Sequence, residues 1–273
     1  MKAKVIAVAN LKGGVGKTTT ALSFGAELSM RGHKVLLVDA DDNNQSLTAM
    51  LKVPEDPKRK TLANLLVQSG FFGDVSREQT RETILSCEEG FDLLPSDLQI
   101  AGVSRFLSSE SAAGDPKGTG IQYHLKKVLS TVSEGYEYII VDTSANNNMF
   151  FINTLTAADE VIIPAQAQKM SDNGTLSTLD AIVKTKENLN PDLTNRGILI
   201  TMVDNRTRYS KRKAGDIGDM FTRMGLCVFR TTIPRTVKGE EYAESGKSIL
   251  SYAGGCKAAE AYREFVTEYL GKE

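Results

Sequence analysis

The run Lys12-Gly13-Gly14-Val15-Gly16-Lys17-Thr18 sets two lysines and a hydroxyl around three glycines. Such residues suit a phosphate. Glycines let backbone N–H groups wrap an anion, and lysines add the opposite charge. The usual phosphate-binding loop reads G-x-x-x-x-G-K-[ST]. Gly16-Lys17-Thr18 closes that pattern, but Leu11 stands where its first glycine belongs, and Lys12 and the Gly13-Gly14 pair are additions. Lys17 is expected to reach the β- and γ-phosphates of ATP, and the Thr18 hydroxyl to bind Mg2+. Gly13, Gly14, Val15, Gly16, Lys17, Thr18 and Thr19 are the expected nucleotide-binding set. Lys12 can hardly fold back onto a γ-phosphate held by its own loop. It could reach a nucleotide held by a facing subunit and neutralise charge on the transferred group there.

Two strand ends supply carboxylates. "VLLVDAD" ends on Asp39 and Asp41, two residues apart and so on one face. "YIIVDT" presents Asp142 after four apolar residues, the place of the acidic group that holds Mg2+ through water in such sites.

The elements that must carry these groups are legible from hydropathy. Short Val- and Ile-rich runs occur at 4–10, 34–41, 91–96, 136–144, 160–166, 197–204 and 227–234, separated by helical patterns. Strands apolar on both faces predict an α/β fold, a mainly parallel twisted sheet with helices on both faces. Ligands of such folds lie beyond the carboxyl ends of the strands, where the polar clusters fall. Residues 52–61 read as a loop, 62–70 as a short helix and 108–120 as a loop that caps a helix starting near Ile121. Tyr262, Phe265, Val266, Tyr269 and Leu270 form a helical stripe expected to dock on the sheet. No linker or repeat divides the chain, so residues 1–273 are expected to form one domain.

Composition excludes more than it assigns. The 273 residues carry a formal charge of −1, with 25% charged and 41% hydrophobic side chains, as in ordinary globular proteins. Cys87, Cys227 and Cys256 offer neither a disulfide framework nor a zinc spacing and read as small buried hydrophobes. No signal peptide or membrane-spanning run is recognised, which predicts a cytoplasmic protein. Charge is segregated, however. From Arg206 to Lys238 nine Lys or Arg stand against two Asp. Lys211, Arg212, Lys213, Arg223 and Arg230 are the expected contacts to a DNA backbone, without base reading and with steep salt dependence.

The loop Lys12–Thr18 matches without exception the K-G-G-x-G-K-[ST] signature of the deviant Walker A ATPases, the ParA/Soj/MinD group. Further stretches resemble its ParA-type partition members: "VDADDNNQSLT", "FDLLPSDLQIAG", "YEYIIVDTS", "NTLTAADEVIIPAQAQ", "GILITMVDNRT" and "IPRTV". The resemblance spans nearly the whole chain, without an N-terminal helix-turn-helix segment. It implies chromosome or plasmid partition by a homodimer that closes around two ATP molecules, with Lys12 reaching across. It casts Asp41 as the residue orienting the attacking water, Asp39 as a switch residue behind the Mg2+, and Asp204, Pro234 and Arg235 as neighbours of the base. It also implies non-specific binding to nucleoid DNA by the ATP-bound dimer, and a ParB-like centromere-binding partner that stimulates hydrolysis. Two departures stand out. Asp42-Asn43 replaces the family's Pro-Gln, and Ser144-Ala145, followed by three asparagines, replaces its Pro-Pro. Nucleotide binding is expected to survive both, and the rate of hydrolysis to be altered. A MinD-like membrane switch would need a basic amphipathic C-terminus. Residues 257–273 instead carry Lys257, Arg263 and Lys272 against Glu260, Glu264, Glu268 and Glu273. A nucleoid-based ATPase positioning some other cargo is a further alternative.

Overall fold

A computed structural model describes residues 2–44, 46–112, 120–166, 174–204, 206–235, 242 and 244–271. The strands, in chain order, are β1 (Lys4–Val8), β2 (Val35–Ala40), β3 (Leu85–Ser86), β4 (Asp92–Leu94), β5 (Tyr138–Thr143), β6 (Glu160–Gln166), β7 (Thr194–Val203) and β8 (Val228–Pro234). They form one sheet in the order β3-β4-β2-β5-β1-β6-β7-β8. All neighbours are parallel except β3 and β4. Between β2 and β3 lie α2 (Ser46–Met50), α3 (Leu62–Val67) and α4 (Arg77–Thr83). The seven expected strands are present. The edge strand β3 was not anticipated, because two residues show no hydrophobic period.

Alternation along the central strands divides the core in two. Val5, Ala7, Leu36, Val38, Ile139 and Val141 face one side, while Ile6, Val8, Val35, Leu37, Tyr138 and Ile140 face the other. The first side is covered by α7 (Met149–Ala157) through Phe150, Phe151 and Leu155, and by α9 (Arg208–Arg223) through Ala214, Ile217 and Phe221. The second is covered by α1 (Lys17–Met30) and the C-terminal helix Lys257–Leu270. Here Phe24 lies 5.3 Å from Phe265 and 4.9 Å from Tyr269, ring centre to ring centre. Edge-to-face packing of this kind adds about 1 kcal/mol per pair to the burial itself. The C-terminal stripe therefore docks as expected, with Leu270 only partly buried, and it steadies the helix that follows the phosphate-type loop.

Topology opens the crevice. From β1 the chain passes through α1 to β2, two places to one side, and from β5 through α7 to β6, two places to the other. The carboxyl ends of β1, β2 and β5 consequently lie together where strand order reverses.

Two expectations are corrected, and the helix expected near Ile121 is present with a 3-10 first turn. Helix α5 (Ile100–Ala112) continues through Ser108–Ala112, which composition suggests as loop, and residues 113–119 lie outside the described set. Near Ile121 a 3-10 turn, Ile121–Tyr123, precedes helix α6 (His124–Ser130). Cys227 is exposed just before β8, and Cys87 and Cys256 are half-buried, so the cysteines are not core residues. Among the described residues no helix is long and apolar enough to cross a membrane.

Candidate nucleotide and magnesium site

Glycine at two loop positions is a backbone requirement. Gly14 and Gly16 have φ of 70° and 85°, in the left-handed region, and Gly16 is the N-cap of α1. No side chain caps α1 and no acidic residue stands in its first turn, so the helix N-terminus is available to an anion. The loop is braced from behind. Thr201 Oγ1 donates to the Val15 carbonyl (2.8 Å), Tyr242 OH to Thr19 Oγ1 (2.7 Å), and Tyr262 OH lies 3.2 Å from Thr20 Oγ1. Met202, itself at φ 55°, lines the cleft over Gly16.

Lysine and carboxylates meet at the floor of this cleft. Lys17 is only 8% exposed, and its Nζ donates to the Lys12 carbonyl at 3.2 Å. Burial lowers its pKa, and the charges of Asp142 and Asp41 oppose that fall. Asp142 is fully buried, and neither carboxylate oxygen has a hydrogen bond of normal geometry. Burial and then the charge of Asp39 push its pKa well up, although the nearby Thr18 hydroxyl and Lys17 favour the charged form. Asp39 is also raised, to about 6, chiefly by burial. Its Oδ2 accepts from Thr48 N (2.8 Å) and Thr48 Oγ1 (2.6 Å), and its Oδ1 from Asp41 N (3.3 Å). A buried carboxylate with both oxygens bare, beside a threonine hydroxyl, fits Mg2+, which takes one or two protein oxygens and completes its shell with water and phosphate. Asp39 is committed elsewhere and fits a place behind the ion. Among the described residues no cluster of three or more His, Cys, Asp and Glu could hold a metal.

The cleft has a volume of about 440 Å³ and is lined by Gly13, Gly14, Lys17, Thr18, Asp41, Asn43 and Asn146, among others. A cavity of similar size at Lys34, Arg81, Asp92 and Tyr136 lies at the opposite, amino ends of the strands. Asp41 reaches the cleft wall but caps its own turn. Its Oδ1 accepts from Asn43 N (3.0 Å) and Asn44 N (3.2 Å), and its Oδ2 from Ser46 Oγ.

Lys12 is half-buried at the start of the loop, and sequence reading missed the network that holds its backbone. Asn10 Oδ1 accepts from Lys12 N (2.9 Å), and Asn10 Nδ2 donates to Pro164 O (2.8 Å) and Thr175 Oγ1 (3.1 Å). Leu11 N donates to Thr178 Oγ1 at 2.8 Å. Helix α8 (Gly174–Asn188) thus grips the loop, and a methyl on Gly174 would come within 2.9 Å of Lys12 Cβ. An asparagine before a glycine run carries no pattern that reveals this role.

Asp204, Pro234 and Arg235 come together at the ends of β7 and β8. Val203 pairs with Pro234, and Arg235 N donates to Val203 O at 2.9 Å. Hydrogen bonds from Arg206 hold the Asp204 carboxyl below its usual range. On α9, Arg212 and Arg223 are exposed, while Lys213 is half-buried with its Nζ 5.2 Å from the Tyr209 ring centre. Lys211 is on the same helix, but its side chain lies outside the described set, as does Lys238. Arg230 is exposed on β8, its N–H held by Glu268.

Comparisons with known proteins extend over nearly the whole chain. Residues 3–195 match the AAA domain family. The chain is 32% identical over 265 residues to the sporulation initiation inhibitor protein Soj of Bacillus subtilis, covering 97% of each. It is 30% identical to the chromosome partitioning protein ParA of Caulobacter vibrioides, covering 99% of this chain and 95% of that one. It is also similar to a Mycobacterium smegmatis structure named cobyrinic acid a,c-diamide synthase, solved with an ATP analog and magnesium. That likeness has a TM-score of 0.78 and 32% identity, and covers 97% of this chain and 93% of the other.

Proposed function

The chain belongs to the ParA/Soj family of P-loop ATPases, and we propose that it acts in DNA partition as an ATP-switched homodimer. ATP and Mg2+ are its cofactors. In this reading residues 1–273 work as one ATPase domain. Gly13 to Thr19 bind the phosphates, and Asp204, Pro234 and Arg235 border the base. Thr18 and Asp142 hold the ion, directly or through water, with Asp39 behind. The bound ion would draw charge from the β- and γ-phosphates. Asp41 would orient the attacking water once its turn is released from Ser46.

The observation that carries the dimer is the division of labour between the lysines. Lys17 is buried in the cleft, whereas Lys12 is only half-buried, does not line the cleft and has its backbone held by Asn10 beside α8. A lysine outside its own cleft with a fixed backbone suits the nucleotide of a facing copy. The ATP-bound dimer binds DNA without sequence preference through Lys211, Arg212, Lys213, Arg223 and Arg230, at the nucleoid in the cytoplasm. A ParB-like partner stimulates hydrolysis and release. A membrane role is disfavoured, because the C-terminal helix buries its apolar stripe against α1 and β8.

Retention on non-specific duplex DNA with ATP, ADP or no nucleotide, at two salt concentrations, tests this function. Retention is expected with ATP alone and to fall steeply with salt. Retention equal in all three conditions contradicts the switch.

A further inference from the structure

The second carboxylate after β2, Asp42, bonds to the loop after β5 and to α5. Asp42 is 6% exposed, and its partners are two carboxamides and a hydroxyl. Asn146 Nδ2 donates to Asp42 Oδ1 at 3.1 Å, and Asn148 Nδ2 donates to Asp42 Oδ2 at 2.6 Å. Ser104 Oγ of α5 also donates to Oδ2, and Asn148 Nδ2 lies 3.0 Å from that hydroxyl. Asn148 Oδ1 meanwhile caps α7 by accepting from Phe151 N at 3.0 Å. Asp41, Asn43 and Asn44 of one loop and Asn146 of the other line the nucleotide cleft. The bonds of Asp42 therefore fasten together, directly behind the cleft wall, the two loops that flank it. Both departures from the family pattern meet in this one cluster.

We propose that Asp42 is a positioning residue, which with Asn146 and Asn148 clasps the loops after β2 and β5 into one body and so sets Asp41 for hydrolysis. A buried carboxylate bound, among the described residues, by carboxamide and hydroxyl donors is sensitive to the count of donors and acceptors around it. Its charge and the asparagine amides are a matched set. A neutral residue at 42 would leave donors unmet, and a carboxylate at 148 would face another carboxylate.

This inference rests on the ATPase reading of the cleft. Its test is an exchange of the two groups. Asp42→Asn and Asn148→Asp are each expected to lower kcat for ATP about tenfold with KM within about twofold. The double exchange, which restores one carboxylate and one carboxamide while retaining a good N-cap for α7, should return kcat to within about threefold of wild type. Asn148→Ser keeps a cap but removes the amide donor, and should match the single variants if Asn148→Asp fails to fold. Single variants with unchanged kcat, or a double exchange no better than the product of the singles, overturn the clasp. A wild-type protein that hydrolyses ATP but does not retain DNA contradicts the partition function instead.

Discussion

Asp39 and Asp142 stand opposite one another in register on β2 and β5, yet of the two only Asp39 has hydrogen bonds of normal geometry among the described residues. Two adjacent buried carboxylates, one of them bare, store electrostatic strain that a divalent ion would relieve.

That strain sets a pH dependence. An aspartate in the unfolded chain titrates near pH 3.9, whereas folded Asp39 titrates at about 6. Between these values the folded state holds more protons. Raising the pH through this window therefore removes stability, on the order of 2–3 kcal/mol, and it stays removed above it. Asp142, raised for the same main reason, adds to the fall. Urea denaturation of nucleotide-free protein should find Asp142→Asn more stable than wild type at pH 7.5 and without the added stability that Mg2+ brings to ATP-bound protein. A variant less stable than wild type, with the Mg2+ effect intact, contradicts this assignment.

Lys17 feels the charges of both Asp142 and Asp41. Lys17→Ala is expected to weaken ATP binding at least ~100-fold, about 3 kcal/mol, through loss of a charge-assisted contact in a buried setting. Titration with a fluorescent ATP analogue measures it. Near-normal affinity would refute the phosphate-loop assignment.

Lys12 makes the opposite prediction. Lys12→Ala should bind ATP within a few-fold of wild type but lose ATP-dependent dimerisation. Gly174→Ala, whose new methyl would collide with Lys12 Cβ, and Asn10→Ala, which releases the Lys12 amide, should reproduce that phenotype in part. Light scattering with ATP separates these outcomes. Full dimerisation of all three variants would show that Lys12 does not act across an interface.

The exposed arginines of α9 predict a salt effect. Arg212→Glu with Arg223→Glu should lower DNA retention at least tenfold and reduce the slope of log K against log salt by about 2, if each contacts one phosphate. Unchanged retention would move the DNA surface off this helix.

Much of this was legible in the residues, and the remainder follows a rule. The seven strands, the left-handed glycines and Asp142 could be found because hydrophobic period, loop chemistry and strand-end position are local signals. Asn10 meets Thr175 across 165 residues, and Asp42 meets Asn148 across 106. Such contacts arise from topology, which brings the ends of β1, β2, β5 and β6 together, and no window of sequence contains them. Composition also misled at Ser108–Ala112, where three serines, a glutamate and an alanine continue α5, and at Cys227, which lies on the surface ahead of an edge strand. The Asp41 turn was legible only in part. Its carboxylate was expected at the cleft, but its bonds to Asn43, Asn44 and Ser46 were not.

The central claim, that a triphosphate closes two copies over a shared pair of sites, is tested most directly by molar mass in solution. With a non-hydrolysable ATP analogue and Mg2+, sedimentation equilibrium should give twice the 29.7 kDa chain mass, and with ADP a single chain. A mass of one chain with the analogue at every concentration contradicts the account.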